Sequence, residues 1–205
     1  MNAESKPGDD SAQGAADRLR IAPAAPTEIM RSVALGEMAT ALPRLISVAG
    51  DGRTTDLSER SGVLILAFLG DACPAVKACI ESLVALQQRL GERGVHVIGV
   101  NSNNQYLSPT DTPSEMARWA TERNLNFPYL KDPQGELARR LGVTNTPHFL
   151  VLDPEKRLRY RGRMYDSREP ARATTRDLED AVDCVLDDRP VTVPETHPLG
   201  CAIVW

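Results

Sequence analysis

Gly62-Val-Leu-Ile-Leu-Ala-Phe-Leu-Gly70-Asp-Ala-Cys73-Pro74-Ala-Val-Lys77 is the stretch on which the fold turns. Val63 to Leu69 form an unbroken apolar run between two glycines. A strand apolar on both faces belongs in the middle of a sheet that helices cover on each side. After Cys73-Pro74 the period becomes helical. Val76, Cys79/Ile80, Leu83, Leu86/Gln87 and Leu90 make one largely apolar stripe, which ends at Gly91 or Gly94. Pro74 suits the first helical position, where its missing N–H costs nothing. Val95-His-Val-Ile-Gly-Val100 reads as the next buried strand, so strand, helix and strand imply a right-handed parallel crossover.

Upstream, Leu45 to Leu57 reads as two short strands around the Asp51-Gly52 turn. Downstream, a loop rich in Asn, Ser and Pro leads to Thr112-Pro113-Ser-Glu115, where Thr112 caps a helix and Glu115 reaches back. That helix is expected to bury Met116, Trp119 and Ala120. Asp132-Pro133 starts a shorter helix stopped by Gly142. His148–Leu152 and Leu158–Gly162 form an antiparallel pair around Asp153-Pro-Glu-Lys156, and a last helix covers about 175–186. This order gives an α/β three-layer sandwich with a central mixed β-sheet, the thioredoxin-like arrangement. Residues 1–27, rich in Ala, Pro, Gly, Asp and Ser, are expected to be disordered. The folded domain spans 28–187, and a Pro-rich tail, 188–205, docks on it.

The composition narrows the function. The 205 residues carry 24 basic and 28 acidic side chains, net −4, with no Lys/Arg run to displace phosphate counterions, so no nucleic-acid partner is expected. Aromatic residues are too scarce, at 4%, for base-stacking platforms. No apolar run reaches the roughly 18 residues needed to span a bilayer, and the N-terminus has no signal-peptide core, so a cytoplasmic protein without a membrane partner is expected. Four cysteines are too few for a disulfide scaffold in a chain of this size.

Cys73 therefore stands out by position. It lies between a buried strand and an amphipathic helix, where unpaired N–H groups and the positive end of the macrodipole favour a thiolate. Such a cysteine is a nucleophile near neutral pH. Lys77, one turn on, adds to this if its ammonium points back to the sulfur. The plain alternative is a buried structural thiol. Val143-Thr-Asn-Thr146-Pro147 precedes an apolar strand, and an X-Pro bond there can be cis.

Together these segments resemble the thioredoxin-like redoxin family of alkyl hydroperoxide reductases and thiol-specific antioxidant proteins, in particular its peroxiredoxin-like branch. That branch resembles Cys-Asn-His-Cys-Pro-Tyr-Val-Lys, an Asn-Ser-Asn loop, Phe-Pro-Tyr-Leu, Gly-Val-Thr-Asn-Thr-Pro and a terminal Gly-Cys-x-Ile-x-Trp. Here the stretches read Gly70-Asp-Ala-Cys-Pro-Ala-Val-Lys77, Asn101-Ser-Asn103, Phe127-Pro-Tyr-Leu130, Gly142-Val-Thr-Asn-Thr-Pro147 and Gly200-Cys-Ala-Ile-Val-Trp205. The resemblance covers about residues 40–205.

Two departures bear on mechanism. Gly70 stands where the family's first cysteine would be, so dithiol exchange cannot run through the local motif. Against the peroxiredoxin pattern Pro-x-x-x-Thr-x-x-Cys, Leu66 and Gly70 hold the Pro and Thr positions, and Pro147 falls near the expected arginine. The partners of a fast peroxide site are missing, which leaves slower attack by a low-pKa thiolate.

The second sulfur then matters. Cys79 lies about 9 Å along the same helix and about 240° round its axis, so a bridge to Cys73 would require unwinding the first turns. Some peroxiredoxins resemble that arrangement; a core position is the plainer reading. Cys201 sits in a tail that Ile203 and Trp205 make apolar enough to dock, and the family shares its terminal cysteine. Cys184 is assigned to packing. A metal site from His197 and Cys201, completed by Cys73 or His148, lacks two close ligand pairs, so no metal or cofactor is expected. His96 is expected to be structural, inside a buried strand.

Two functions remain. One is a thiol oxidoreductase with antioxidant or exchange activity, in which Cys73 attacks a peroxide or a disulfide and Cys201 resolves the product. The backbone at Thr146-Pro147 would line the partner groove, and a thioredoxin-type protein or another thiol would be the reductant. The other is a redox-inactive thioredoxin-fold binding module marked by Gly70.

Overall fold

The computed structural model describes residues 32–40, 42–50 and 53–205. The Asp51-Gly52 turn, the segment 1–27 and the start of the domain at 28 lie outside the described residues.

The central strand β3 (Val63–Phe68) and β4 (Val95–Asn101) run parallel, in register from Val63↔Val95 to Phe68↔Val100. Helix α1 (Pro74–Leu90) makes the crossover between them. On its other edge β3 pairs antiparallel with β7 (His148–Leu152), which pairs antiparallel with β8 (Leu158–Gly162). Beyond β4 lie β5 (Tyr129–Lys131), parallel to it, then β1 (Leu45–Ser47) and β2 (Thr54–Thr55), both antiparallel. The seven-stranded order is β2-β1-β5-β4-β3-β7-β8. Helices α2 (Pro113–Glu122), α3 (Glu136–Arg140) and α4 (Asp177–Leu186) complete the layers.

Both faces of β3 are covered, which is why its sequence does not alternate. Val63, Ile65 and Ala67 enter one core with Leu83 of α1, Trp119 of α2 and Leu178 of α4. Leu64, Leu66 and Phe68 enter the other with Leu137 of α3, Leu150 and Ile203. Truncating any of these leucines to Ala would cost about 2–5 kcal/mol.

A small second ladder decides the site. Strand β6 (Asn145–Thr146) pairs antiparallel with β9 (Cys201–Ala202), so Thr146 faces Cys201 and Asn145 faces Ala202. Tail residues before it are tied to β8: Arg161 N donates to Pro194 O and Thr196 N to Arg161 O, each at 3.0 Å.

Several local expectations change. The short helix starts at Glu136 rather than at Asp132-Pro133, because the Asp132 carboxylate turns inward and accepts from Ser102 Oγ (2.8 Å) and Ala138 N (3.1 Å). Gly135, at φ 64°, supplies the turn before it. The last helix starts at Asp177, since Asp166 takes the amides of Thr174 (2.8 Å) and Thr175 (3.2 Å) into a loop. Thr112 caps α2, accepting from Glu115 N at 3.4 Å, but the Glu115 carboxylate pairs with Arg118 instead of reaching back. Ala120 is only half-buried. His96 is exposed, beside Gly62 at the start of β4, and is not a core residue.

Candidate active site

Cys73 is the N-cap of α1 and Pro74 its first residue, as the loss of a donor at that position allows. The turn is closed by Cys73 N donating to Gly70 O at 3.0 Å. The side chain is buried, 5% exposed. As a thiol, Cys73 donates to the carbonyl of Thr146 at 3.1 Å. The Thr146–Pro147 peptide bond is cis, and Thr146 is buried.

The Sγ atoms of Cys73 and Cys201 are 2.8 Å apart, although 128 positions separate them in sequence. The two thiols are held differently. Burial works against the Cys73 thiolate, but hydrogen bonds from the Cys201 thiol and from the backbone of Val76, Cys201 and Ala75 outweigh it and lower its pKa. Cys201, exposed, is pushed up to about 11, first because it donates to Cys73, then by burial. The pair is therefore unequal: Cys73 is the more readily ionised thiol, and Cys201 is the partner that keeps its proton.

Lys77 is exposed and is not among the groups that lower Cys73. Cys79 donates to Val76 O at 3.5 Å and is raised to about 12 by burial, then by the charge on Cys73, so it stays a thiol. Cys184 is buried in α4. His148 follows Pro147 on β7; burial, then Arg161, lowers it to about 4, and neither ring nitrogen has a hydrogen-bond partner among the described residues. Among the described residues no group of three or more His, Cys, Asp or Glu could hold a metal ion, so His197 and Cys201 gather no such set with Cys73 or His148.

A buried polar cluster behind the Cys73 loop has no counterpart in the sequence reading. Asp71 accepts from Tyr129 Oη at 2.5 Å, and its N–H donates to Asp111 Oδ1 at 3.1 Å. Asn101 Nδ2 also donates to Asp111, at 2.6 Å. Lys131 Nζ, buried, donates to Asn101 Oδ1, Asn103 O and Asp111 O at 3.0, 2.6 and 2.8 Å. Burial, together with the Asp111 charge, raises Asp71 to about 7, the Tyr129 hydrogen bond opposing. The legible signals were an acidic residue shortly before the cysteine and a lysine in an otherwise apolar β5.

The space at Gly70 is already filled. A Cβ there would lie 2.8 Å from Asn103 Nδ2 and 3.1 Å from Thr146 Oγ1. Gly70 is thus a close-packed position rather than a vacant cysteine site.

A cysteine at a helix N-terminus beside the turn before β7, on a mixed sheet of this order, marks a thiol oxidoreductase of the thioredoxin-like class. More narrowly, the chain belongs to the AhpC/TSA family, which residues 38–161 match. An uncharacterized conserved protein of Geobacillus kaustophilus is 30% identical, with 85% of this chain and 94% of that one covered and a TM-score of 0.77. A hypothetical protein of Sinorhizobium meliloti is 31% identical, with 85% and 96% covered and a TM-score of 0.75. A secreted Mycobacterium tuberculosis disulfide oxidoreductase homologous to E. coli DsbE shares the fold at 19% identity, with 69% and 95% covered and a TM-score of 0.53. No curated protein matches the sequence. Among the described residues no helix is long and apolar enough to cross a membrane.

Proposed function

We propose that the protein is a two-thiol oxidoreductase in which Cys73 is the attacking sulfur and Cys201 its resolving partner. The 2.8 Å approach of their Sγ atoms is the observation that carries this reading. With a peroxide, the Cys73 thiolate attacks one oxygen and the O–O bond breaks. The released alkoxide or hydroxide takes a proton, leaving a sulfenic acid on Cys73. The Cys201 thiol then attacks that sulfur, the S–O bond breaks, water leaves and a disulfide forms. With a disulfide substrate, Cys73 forms a mixed disulfide and expels one thiolate, and Cys201 displaces the other.

The tail makes this cycle independent of the local paired motif, since the second sulfur arrives on β9 rather than at position 70. A thiol reductant, such as a thioredoxin-type protein, returns both cysteines to thiols. Nothing in the cycle calls for a metal or an organic cofactor. A cytoplasmic setting suits a chain with only four cysteines, too few for a disulfide scaffold.

Intact mass before and after a mild peroxide pulse tests the reading. The wild-type protein is expected to lose two mass units, and neither Cys73→Ser nor Cys201→Ser to do so. Failure of Cys73 to react with peroxide or an alkylating agent at neutral pH would overturn it and leave a redox-inactive binding module.

A further inference from the structure

We infer that Asn103 is a positioning residue of this site: packed against Gly70, it grips the C-terminal strand and so keeps Cys201 on Cys73. The inference rests on the Cys73–Cys201 reading above and adds to it the device that fixes their geometry.

Asn103 follows β4 and is 7% exposed, with all four of its hydrogen-bonding groups in use. Its N–H donates to Asn101 Oδ1 at 3.0 Å, and its carbonyl accepts from Lys131 Nζ at 2.6 Å. Its Nδ2 donates to Asp111 Oδ2 at 3.0 Å. These three bonds anchor the residue in the buried polar cluster. The fourth leaves the cluster: Oδ1 accepts from Val204 N at 2.9 Å. Asn104 N adds a bond to Val204 O at 2.7 Å, so both backbone groups of Val204 are held by consecutive residues. The other edge of the tail is held by Ile203 N donating to Thr144 O at 2.9 Å and by the Thr146↔Cys201 register.

The loop that bears Cys73 is fixed by the same residues. Asp71 N donates to Asp111 Oδ1, the carboxylate whose other oxygen Asn103 takes. Gly70 presents its bare Cα to the Asn103 amide, and a Cβ there would fall 2.8 Å from Nδ2. Attacking loop and resolving tail therefore share one support. An amide already immobilised by three bonds loses little entropy when it takes the tail N–H, and such prior ordering raises the effective concentration of one sulfur at the other. Alanine at 103 removes both the acceptor for Val204 and the donor to Asp111. Aspartate would remove the donor and set a further carboxylate beside Asp111.

Equilibration of the full-length protein with glutathione tests the inference. Two thiols pass their electrons and protons to glutathione disulfide, which becomes two glutathiones as the Cys73–Cys201 bond forms. Intact mass then gives the effective concentration of the pair. Asn103→Ala is expected to lower it at least tenfold, equivalent to a potential about 30 mV less negative, and to speed alkylation of Cys73 several-fold. Val204→Pro removes the N–H that Asn103 accepts, fixing φ at 204 as well, and changes no residue of the buried cluster. It is expected to give the same tenfold loss, and the double variant less than twofold more. If Asn103→Ala fails to fold, Val204→Pro alone decides. An effective concentration within twofold of wild type in the folded Asn103→Ala, or in Val204→Pro should that variant be the only one to fold, overturns the positioning role while the wild-type disulfide leaves the reading of the site intact. A wild-type protein that forms no such disulfide at any glutathione ratio overturns both.

Discussion

Cys201 and Thr146 are register partners in the β6–β9 ladder, and the Thr146 carbonyl is the one that lies 3.1 Å from Cys73 Sγ. The meeting of the two sulfurs is therefore a consequence of strand register. Because side chains alternate along a strand, a slip of one residue would turn Cys201 to the opposite face. The Asn103, Thr144 and Ile203 contacts are what hold that register.

Ile203 is the apolar anchor of the tail, 4% exposed in the core shared with Leu66 and Leu150. Ile203→Ala is expected to weaken docking of the tail by about 2–5 kcal/mol, the usual range for truncating a buried aliphatic side chain. Because Cys201 covers Cys73, the variant should show faster alkylation of Cys73 by iodoacetamide, with the far-UV circular dichroism unchanged. An unchanged alkylation rate would mean that the tail does not shield Cys73.

The Cys201 thiol is the foremost group favouring the Cys73 thiolate, against a burial that disfavours it. The rate of Cys73 alkylation against pH should therefore show a midpoint below the ordinary thiol value of 9.0. Cys201→Ala removes the donor and leaves the burial, so the midpoint is expected to move upward. A profile that does not shift would assign the activation to the helix terminus alone.

Gly70 cannot be refilled without displacing Asn103. Gly70→Ala is expected to lose about 1–3 kcal/mol in urea unfolding, the usual range for overpacking. Gly70→Cys restores the paired motif, yet the introduced thiol should not bond to Cys73 in place of the tail disulfide. Peptide mapping after oxidation reads the outcome directly.

Asp71 makes the stability depend on pH in a sense opposite to most carboxylates. Its folded pKa is about 7 against an ordinary 3.8, because burial and Asp111 disfavour the charge. The folded state holds the proton more tightly, so this contribution is full below about pH 4 and is lost as pH rises to about 7. The loss amounts to a few kcal/mol at most. Urea unfolding should show Asp71→Asn with a flatter profile over that range and a gain relative to wild type at pH 8. An identical slope in both proteins would remove Asp71 as its source.

Local signals are legible where local physics decides. The two-sided apolar run of β3, the change to a 3.6 period after Pro74 and the glycine stops predict the central crossover, and the structure shows it. Where tertiary contacts compete, local signals mislead: Asp132 leaves a helix start to join Ser102, and His96 falls outside the covered part of its strand. The buried cluster of Asp71, Asp111 and Lys131 leaves only single-residue signals in the sequence, because its members are scattered over three segments and pair only across the fold.

By itself, then, the sequence determined an α/β chain of the AhpC/TSA family with one cysteine at the start of a helix, since periodicity, caps and motifs are all short-range. It left Cys79 and Cys201 as rival partners and Lys77 as a candidate activator, because distance between sulfurs is not encoded in spacing along a chain. Only the tertiary structure decided that the tail forms a ladder with β6, that Cys201 rather than Cys79 lies on Cys73, and that Gly70 is packed against Asn103. The physical reason is that these are long-range pairings, set by hydrogen-bond register and by the satisfaction of buried polar groups, and both exist only once the sheet is assembled.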